Sequence, residues 1–190
     1  MIGAGPIGLA AALSGLRRGW DVTTLEQHEV GASIRQWGPT KFFSPLSMNL
    51  PPGAAEILGA KLPAEDALLT GPEFVESVLA PLACSDELAG RIKVGHRVVA
   101  VGRSGLTRCD LAGHPIRSER PFRVLAETAT GEQTFEADAV IDASGNYGLP
   151  AAIGAGGLPA LGERAIAGRV IRTLGALHER LNHLVGRKLL

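Results

Sequence analysis

The chain has 190 residues, 45% of them hydrophobic and 20% charged, and its 19 basic and 19 acidic side chains balance to zero. This composition excludes a disordered chain, and the length suits one domain with an appendage better than two full domains. The balanced charge argues against nucleic-acid and anionic-membrane partners.

Cys84 and Cys109 lie far apart in no metal-ligand spacing, so both read as buried or loop thiols without redox duty. There is no apolar run of membrane-spanning length and no secretion signal, so a cytoplasmic location is expected. The 25 glycines are the unusual feature, at about twice the usual share of 7%.

They gather first at the start of the chain. Gly3, Gly5 and Gly8 stand in the G-x-G-x-x-G spacing that opens a dinucleotide-binding βαβ unit. Gly3 allows the sharp turn, Gly5 lets a pyrophosphate approach the backbone, and Gly8 lets helix and strand pack closely. Pro6 suits a first helical turn, and the amides around Pro6 and Ile7 face the phosphates. Leu9, Leu13 and Leu16 predict a helical apolar face, with Gly19 as the stop. A strand over Asp21 to Leu25 then delivers Glu26, eighteen residues after Gly8. That offset suits an acid that binds ribose hydroxyls and disfavours a 2′-phosphate.

Further along, Thr70 is expected to cap a helix running through Phe74, Val78 and Leu82. A short strand at Ile92 to Val94 follows. Arg97 to Val101, Phe122 to Thr128 and Gln133 to Glu136 then read as three strands, the last two joined at Thr130-Gly131. Ala139 to Asp142 reads as a buried strand returning to the parallel sheet. Gly154, Gly156, Gly157 and Pro159 read as a linker. Leu174, Leu177, Leu181 and Leu184 predict an amphipathic helix within residues 172–190, which would pack on the domain, on a partner or on a second copy. His178, Glu179 and His183 do not make a zinc site, because the two histidines point apart on a helix, and no metal is expected.

Two segments carry a resemblance. Val30 to Leu50, V-G-A-S-I-R-Q-W-G-P-T-K-F-F-S-P-L-S-M-N-L, resembles the loop after the ribose-binding acid in flavin-containing and N-hydroxylating monooxygenases. Ala137 to Gly148, A-D-A-V-I-D-A-S-G-N-Y-G, resembles the Ala-Thr-Gly motif that closes the FAD domain of flavoproteins with two dinucleotide-binding domains. The resemblance spans about residues 1–150 and implies a Rossmann-like parallel α/β sheet with a three-stranded antiparallel meander. Its cofactor would be FAD. Gly3, Gly5, Pro6, Ile7 and Gly8 would hold the pyrophosphate, with Glu26 on the adenosine ribose and Gln27 beside it. Ser33 and Trp37 would line the ribityl-flavin side, Val98 would offer backbone groups to the adenine edge, and Gly145 would approach at the domain exit. Ser44, Met48 and Asn49 are flavin-proximal by the same resemblance, and no catalytic residue is named.

The first strand is largely missing, since only Met1 and Ile2 precede Gly3, and its loss would leave two unpaired sheet edges. Residues 151–190 contain no second glycine fingerprint, so NADPH would bind only if a further domain were supplied. The expected function is the FAD-binding portion of a flavin-dependent, monooxygenase-like oxidoreductase acting on an unidentified small molecule. The alternatives are a truncated, non-catalytic interaction module and an NAD-dependent dehydrogenase.

Overall fold

The computed structural model describes residues 1–188. Helix α1 (Pro6–Arg17) buries Leu9, Ala12 and Leu13. It ends at Arg18, beyond which Gly19 takes a φ of 78°, a left-handed turn that glycine adopts without steric cost.

Strand β1 (Thr24–Leu25) pairs in parallel with β2 (Ile92–Lys93). On its other side Leu25 bridges Ile2, and Ile2 bridges Asp142, both in parallel. The sheet order is thus β2, β1, Ile2, Asp142, with the glycine turn leaving its central segment. Although only Met1 to Gly3 form that segment, its edges are paired, contrary to the sequence expectation. The Ile2 N–H donates to Ile141 at 2.9 Å, and the Ile2 carbonyl accepts from Ala143 at 2.8 Å. Toward β1, the Gly3 N–H donates to Leu25 at 2.7 Å and the Met1 carbonyl accepts from Leu25 at 2.9 Å. Backbone groups alternate sides along a strand, so three residues suffice to bond both neighbours.

The meander is β3 (Arg97–Arg103), β4 (Phe122–Thr128) and β5 (Gly131–Ala137), antiparallel and in that order. Thr128 pairs with Gly131, so the turn is Ala129-Thr130 and Gly131 already belongs to β5. Leu25, Val124 and Ala126 form a small core that joins the meander to the sheet, with Val98, Phe135 and Val140 packed against it.

Thr70 caps its helix as expected. Its side chain accepts from the Glu73 N–H while the Glu73 carboxylate accepts from the Thr70 N–H, a reciprocal capping box. Gly71–Phe74, the π-helical turn Val75–Leu79 and Ala80–Ala83 run on as one helix. Its buried Phe74, Val75, Val78, Leu79 and Leu82 pack with Leu9 and Leu13 of α1 in the main core. Cys84 and Cys109 are exposed.

A further expectation is corrected. Residues 139–142 are not a buried strand: only Asp142 bridges the sheet, and Ile141 is 38% exposed. The sheet end there borders an open cavity of about 500 Å³ lined by Trp20, Val22, Phe135, Val140 and Ile141, so no packed layer buries the segment. The C-terminal helix, Leu174–Leu184, exposes Leu174 and Leu181, and its one buried residue is Gly175. It docks on the domain by its first turn, and Leu177 and Leu184 of the leucine stripe are half-buried. Part of the region expected to be helical, residues 189–190, lies outside the described residues. A feature the sequence did not foretell is the 3-10 helix Glu163–Arg169. Among the described residues no helix is long and apolar enough to cross a membrane.

Candidate functional site

The three glycines of the turn differ in what they require. Gly3 has a φ of 93°, and a Cβ there would lie 2.6 Å from the Ala143 carbonyl oxygen. A Cβ at Gly8 would lie 1.9 Å from the Gly3 carbonyl oxygen, so the close approach of helix to turn depends on its absence. Around Gly5 nothing lies within 4 Å of an added Cβ, and its φ is an ordinary −80°. Neither packing nor backbone strain demands glycine at Gly5. Of the three turn glycines, Gly5 alone has open space where a Cβ would stand.

The same turn leaves donors free. Gly5 is the N-cap of α1 without a side-chain cap, and Pro6 has no N–H. Among the described residues the N–H groups of Ile7 and Gly8 find no acceptor. These are first-turn donors of the kind that bind anions, reinforced by the helix dipole.

Glu26 is 9% exposed and anchors this turn from the end of β1. Its Oε2 accepts from the Ala4 N–H at 2.7 Å and its Oε1 from the His28 N–H at 2.9 Å. Each oxygen retains a second lone pair for a further donor. Gln27 beside it is exposed. The His96 N–H donates to the Glu26 carbonyl at 2.8 Å and so brings the start of β3 alongside. Val98 pairs with Ala126, and the register shifts between Val98 and Ala100. Such a bulge interrupts the ladder between Val98 and Ala100.

Across the sheet, Ser144 Cα lies 2.9 Å from where a Gly3 Cβ would sit, which places the Ser144-Gly145 turn directly against the glycine turn. The Ser144 hydroxyl and N–H both donate to Asp142 Oδ1, at 2.6 and 3.0 Å, and these bonds hold the Asp142 carboxyl below its usual range. Gly145 follows at a φ of 71° with open space around it.

Helix α2 (Ala32–Arg35) starts at Gly31, whose N–H donates to the Ala4 carbonyl at 3.2 Å. Ser33 is exposed on this one-turn helix. Trp37 is half-buried, with its ring centroid 5.0 Å from Phe42, which stands 5.0 Å from Phe74. Trp37 is therefore tied to the main core through two tilted aromatic contacts. Asn49 donates to the Ser44 and Pro45 carbonyls and closes a local turn, while Met48 is exposed.

The structure thus gathers Gly3, Gly5, Pro6, Ile7, Gly8, Glu26 and Gly145 around one turn, brings Val98 alongside through His96, and sets Ser33 and Trp37 on the flanking loop. Sequence reasoning passed over Ala4, whose N–H and carbonyl link the turn to Glu26 and Gly31, because backbone bonds leave no residue-type signal. It also passed over Glu163, which is 4% exposed. The one available signal was its place after fifteen residues, 148–162, without a polar side chain.

No family model matches the chain, and no curated protein matches it. Solved structures do. Bacillithiol disulfide reductase Bdr (YpdA) from Bacillus cereus superposes with a TM-score of 0.60 at 20% identity, over 78% of this chain and 40% of that one. The Staphylococcus aureus protein of the same name gives 0.55 at 18% identity, over 77% of this chain and 38% of that one. OTEMO, solved in complex with FAD and NADP, gives 0.54 at 16% identity, over 80% of this chain and 25% of that one. The chain spans less than half the length of each. The likeness shows a shared mixed α/β fold, with a parallel sheet and an antiparallel meander.

Proposed function

We propose that this chain binds FAD and is the FAD-binding portion of a flavin-dependent oxidoreductase of the monooxygenase type. The observation that carries the reading is the open space over Gly5, bordered by the free N–H groups of Ile7 and Gly8. The residues present fit the group. Gly5, Ile7 and Gly8 would take the pyrophosphate, and the remaining lone pairs of Glu26 would take the adenosine ribose hydroxyls with Gln27 alongside. Val98 and the bulge after it would face the adenine, Gly145 would lie at the domain exit, and Ser33 and Trp37 would flank the ribityl-flavin side. The flavin, when bound, supplies the redox chemistry. This chain's own part is to bind and orient it. The choice of FAD over NAD is supported by the Val30 to Leu50 and Ala137 to Gly148 resemblances, and NADPH is assigned no site within residues 1–188.

The test is to incubate the purified chain separately with FAD and NAD, remove free ligand by gel filtration, and read the absorbance of the protein peak. Stoichiometric flavin without retained NAD is the expected result. Retained NAD without flavin would turn the reading toward a dehydrogenase.

A further inference from the structure

Beyond the parallel sheet, residues 147–184 come back to the candidate site. The buried Glu163 carboxylate gathers this segment. It accepts from the Ala160 N–H at 2.8 Å and the Ile153 N–H at 3.2 Å, and it pairs with the Arg172 guanidinium, which also donates to the Ala151 carbonyl. A buried carboxylate persists only with such partners, so residues 151, 153, 160 and 172 are held on one centre. Next to Arg172, Thr173 caps the C-terminal helix by accepting from the Ala176 N–H at 3.2 Å. Gly175 in the first turn is buried, and a Cβ there would lie 2.3 Å from the Gln36 carbonyl oxygen. The Tyr147 hydroxyl donates to that same carbonyl at 3.4 Å. Gln36 in turn caps the short helix that begins at Gly31, whose N–H is bonded to Ala4 in the glycine turn.

We propose that this segment is a clasp for the cofactor, with Glu163 and Gly175 as positioning residues that hold loop 31–38 against the glycine turn. The inference rests on the FAD-binding reading. Its physical basis is entropic. A loop ordered before binding does not have to be ordered by the ligand, and preorganisation of this kind slows release. The contact at Gly175 is backbone against backbone, so any side chain there forces the helix off Gln36.

The experiment compares the full chain with its Gly175→Val and Glu163→Gln variants, each loaded with FAD and diluted while flavin fluorescence and the visible circular dichroism of the bound flavin are followed. G175V is expected to release FAD at least tenfold faster with an altered flavin dichroism band. E163Q should shift both in the same direction by less. Limited proteolysis reports undocking of residues 148–175 independently of flavin. Variants that are undocked yet release FAD at the wild-type rate with an unchanged band would overturn the clasp. A wild-type chain that takes up no FAD would instead refute the binding reading on which it rests. If G175V does not fold, E163Q decides the matter alone, because Glu163 lies outside the main core.

Discussion

The Ala4 N–H donates to Glu26 Oε2 at 2.7 Å, inside the fold and across twenty-two residues of sequence. Glu26 therefore shapes the glycine turn before any ligand arrives. Glu26→Gln keeps the size of the side chain, but its single carbonyl oxygen cannot serve both Ala4 and His28, and its NH₂ then faces an N–H donor. A charge-assisted bond of this kind is worth about 1.5–3 kcal/mol. The variant should lose thermal stability without cofactor and bind FAD roughly tenfold more weakly, a change of about 1.4 kcal/mol. Thermal melts of the apo chain with a fluorescence titration check both effects, and an unchanged apo melting temperature would show that Glu26 does not hold the turn.

Gly5 and Gly8 should part company under mutation. Gly5→Val places a side chain in open space at a helix cap, so the fold should survive with a loss of about 1 kcal/mol while bound flavin disappears. Gly8→Ala sets a Cβ 1.9 Å from the Gly3 carbonyl oxygen, and overpacking of this kind costs about 1–3 kcal/mol. Urea unfolding of the two variants beside their flavin content separates a ligand contact from a packing contact. Retained stoichiometric FAD in Gly5→Val would remove the turn from the phosphate site.

Thr70→Ala removes half of the capping box and should cost about 1 kcal/mol of stability without changing flavin affinity. The cap also titrates. The Glu73 carboxyl is held below its usual range first by the Thr70 N–H and then by the Thr70 hydroxyl. A lowered folded-state value means that its contribution is present above the unfolded pKa and is lost as pH falls through the folded one. The stability gap between wild type and Thr70→Ala should therefore narrow in acid. A gap independent of pH would place the cap's stabilisation elsewhere.

The clasp has the same sign of pH dependence. The Glu163 carboxyl is lowered chiefly by its bond from Arg172 and next by that from Ala160. It is therefore charged and engaged at neutral pH and is protonated as pH falls through the lowered value. Proteolytic cutting within residues 148–162 should be slow at neutral pH and accelerate in acid in the wild type. In Glu163→Gln it should already be fast at neutral pH and change little, and equal cutting of both chains at neutral pH would count against the ion pair as the holding element.

The glycine turn and the helix cap were legible because local rules act within a few residues. The spacing of Gly3, Gly5 and Gly8, the position of Pro6, and the Thr70 to Glu73 pair each encode a turn or cap whose partners are near in sequence. The alternation in Phe122 to Thr128 marks a strand for the same reason, and its bounds match the observed β4. The ends of β3 and β5 extended further, since strand length is settled by what the neighbouring strand can pair.

What residue types cannot express is backbone meeting backbone over long separations. The pairing of Ile2 on both sides, the bond from Ala4 to Glu26, and the seat of Gly175 on Gln36 all depend on groups that every residue carries. The leucines at 174, 177, 181 and 184 announced a helix correctly but not its docking face, because the closest approach to the domain is made where a side chain is absent. Glycine spacing and strand patterning thus determined the architecture and the location of the turn. Tertiary contacts alone decided that Gly5 is the turn glycine left open, that Trp37 joins a tilted aromatic cluster, and that a buried Glu163 draws the C-terminal segment together: open space, ring contacts and desolvation exist only once distant parts of the chain meet.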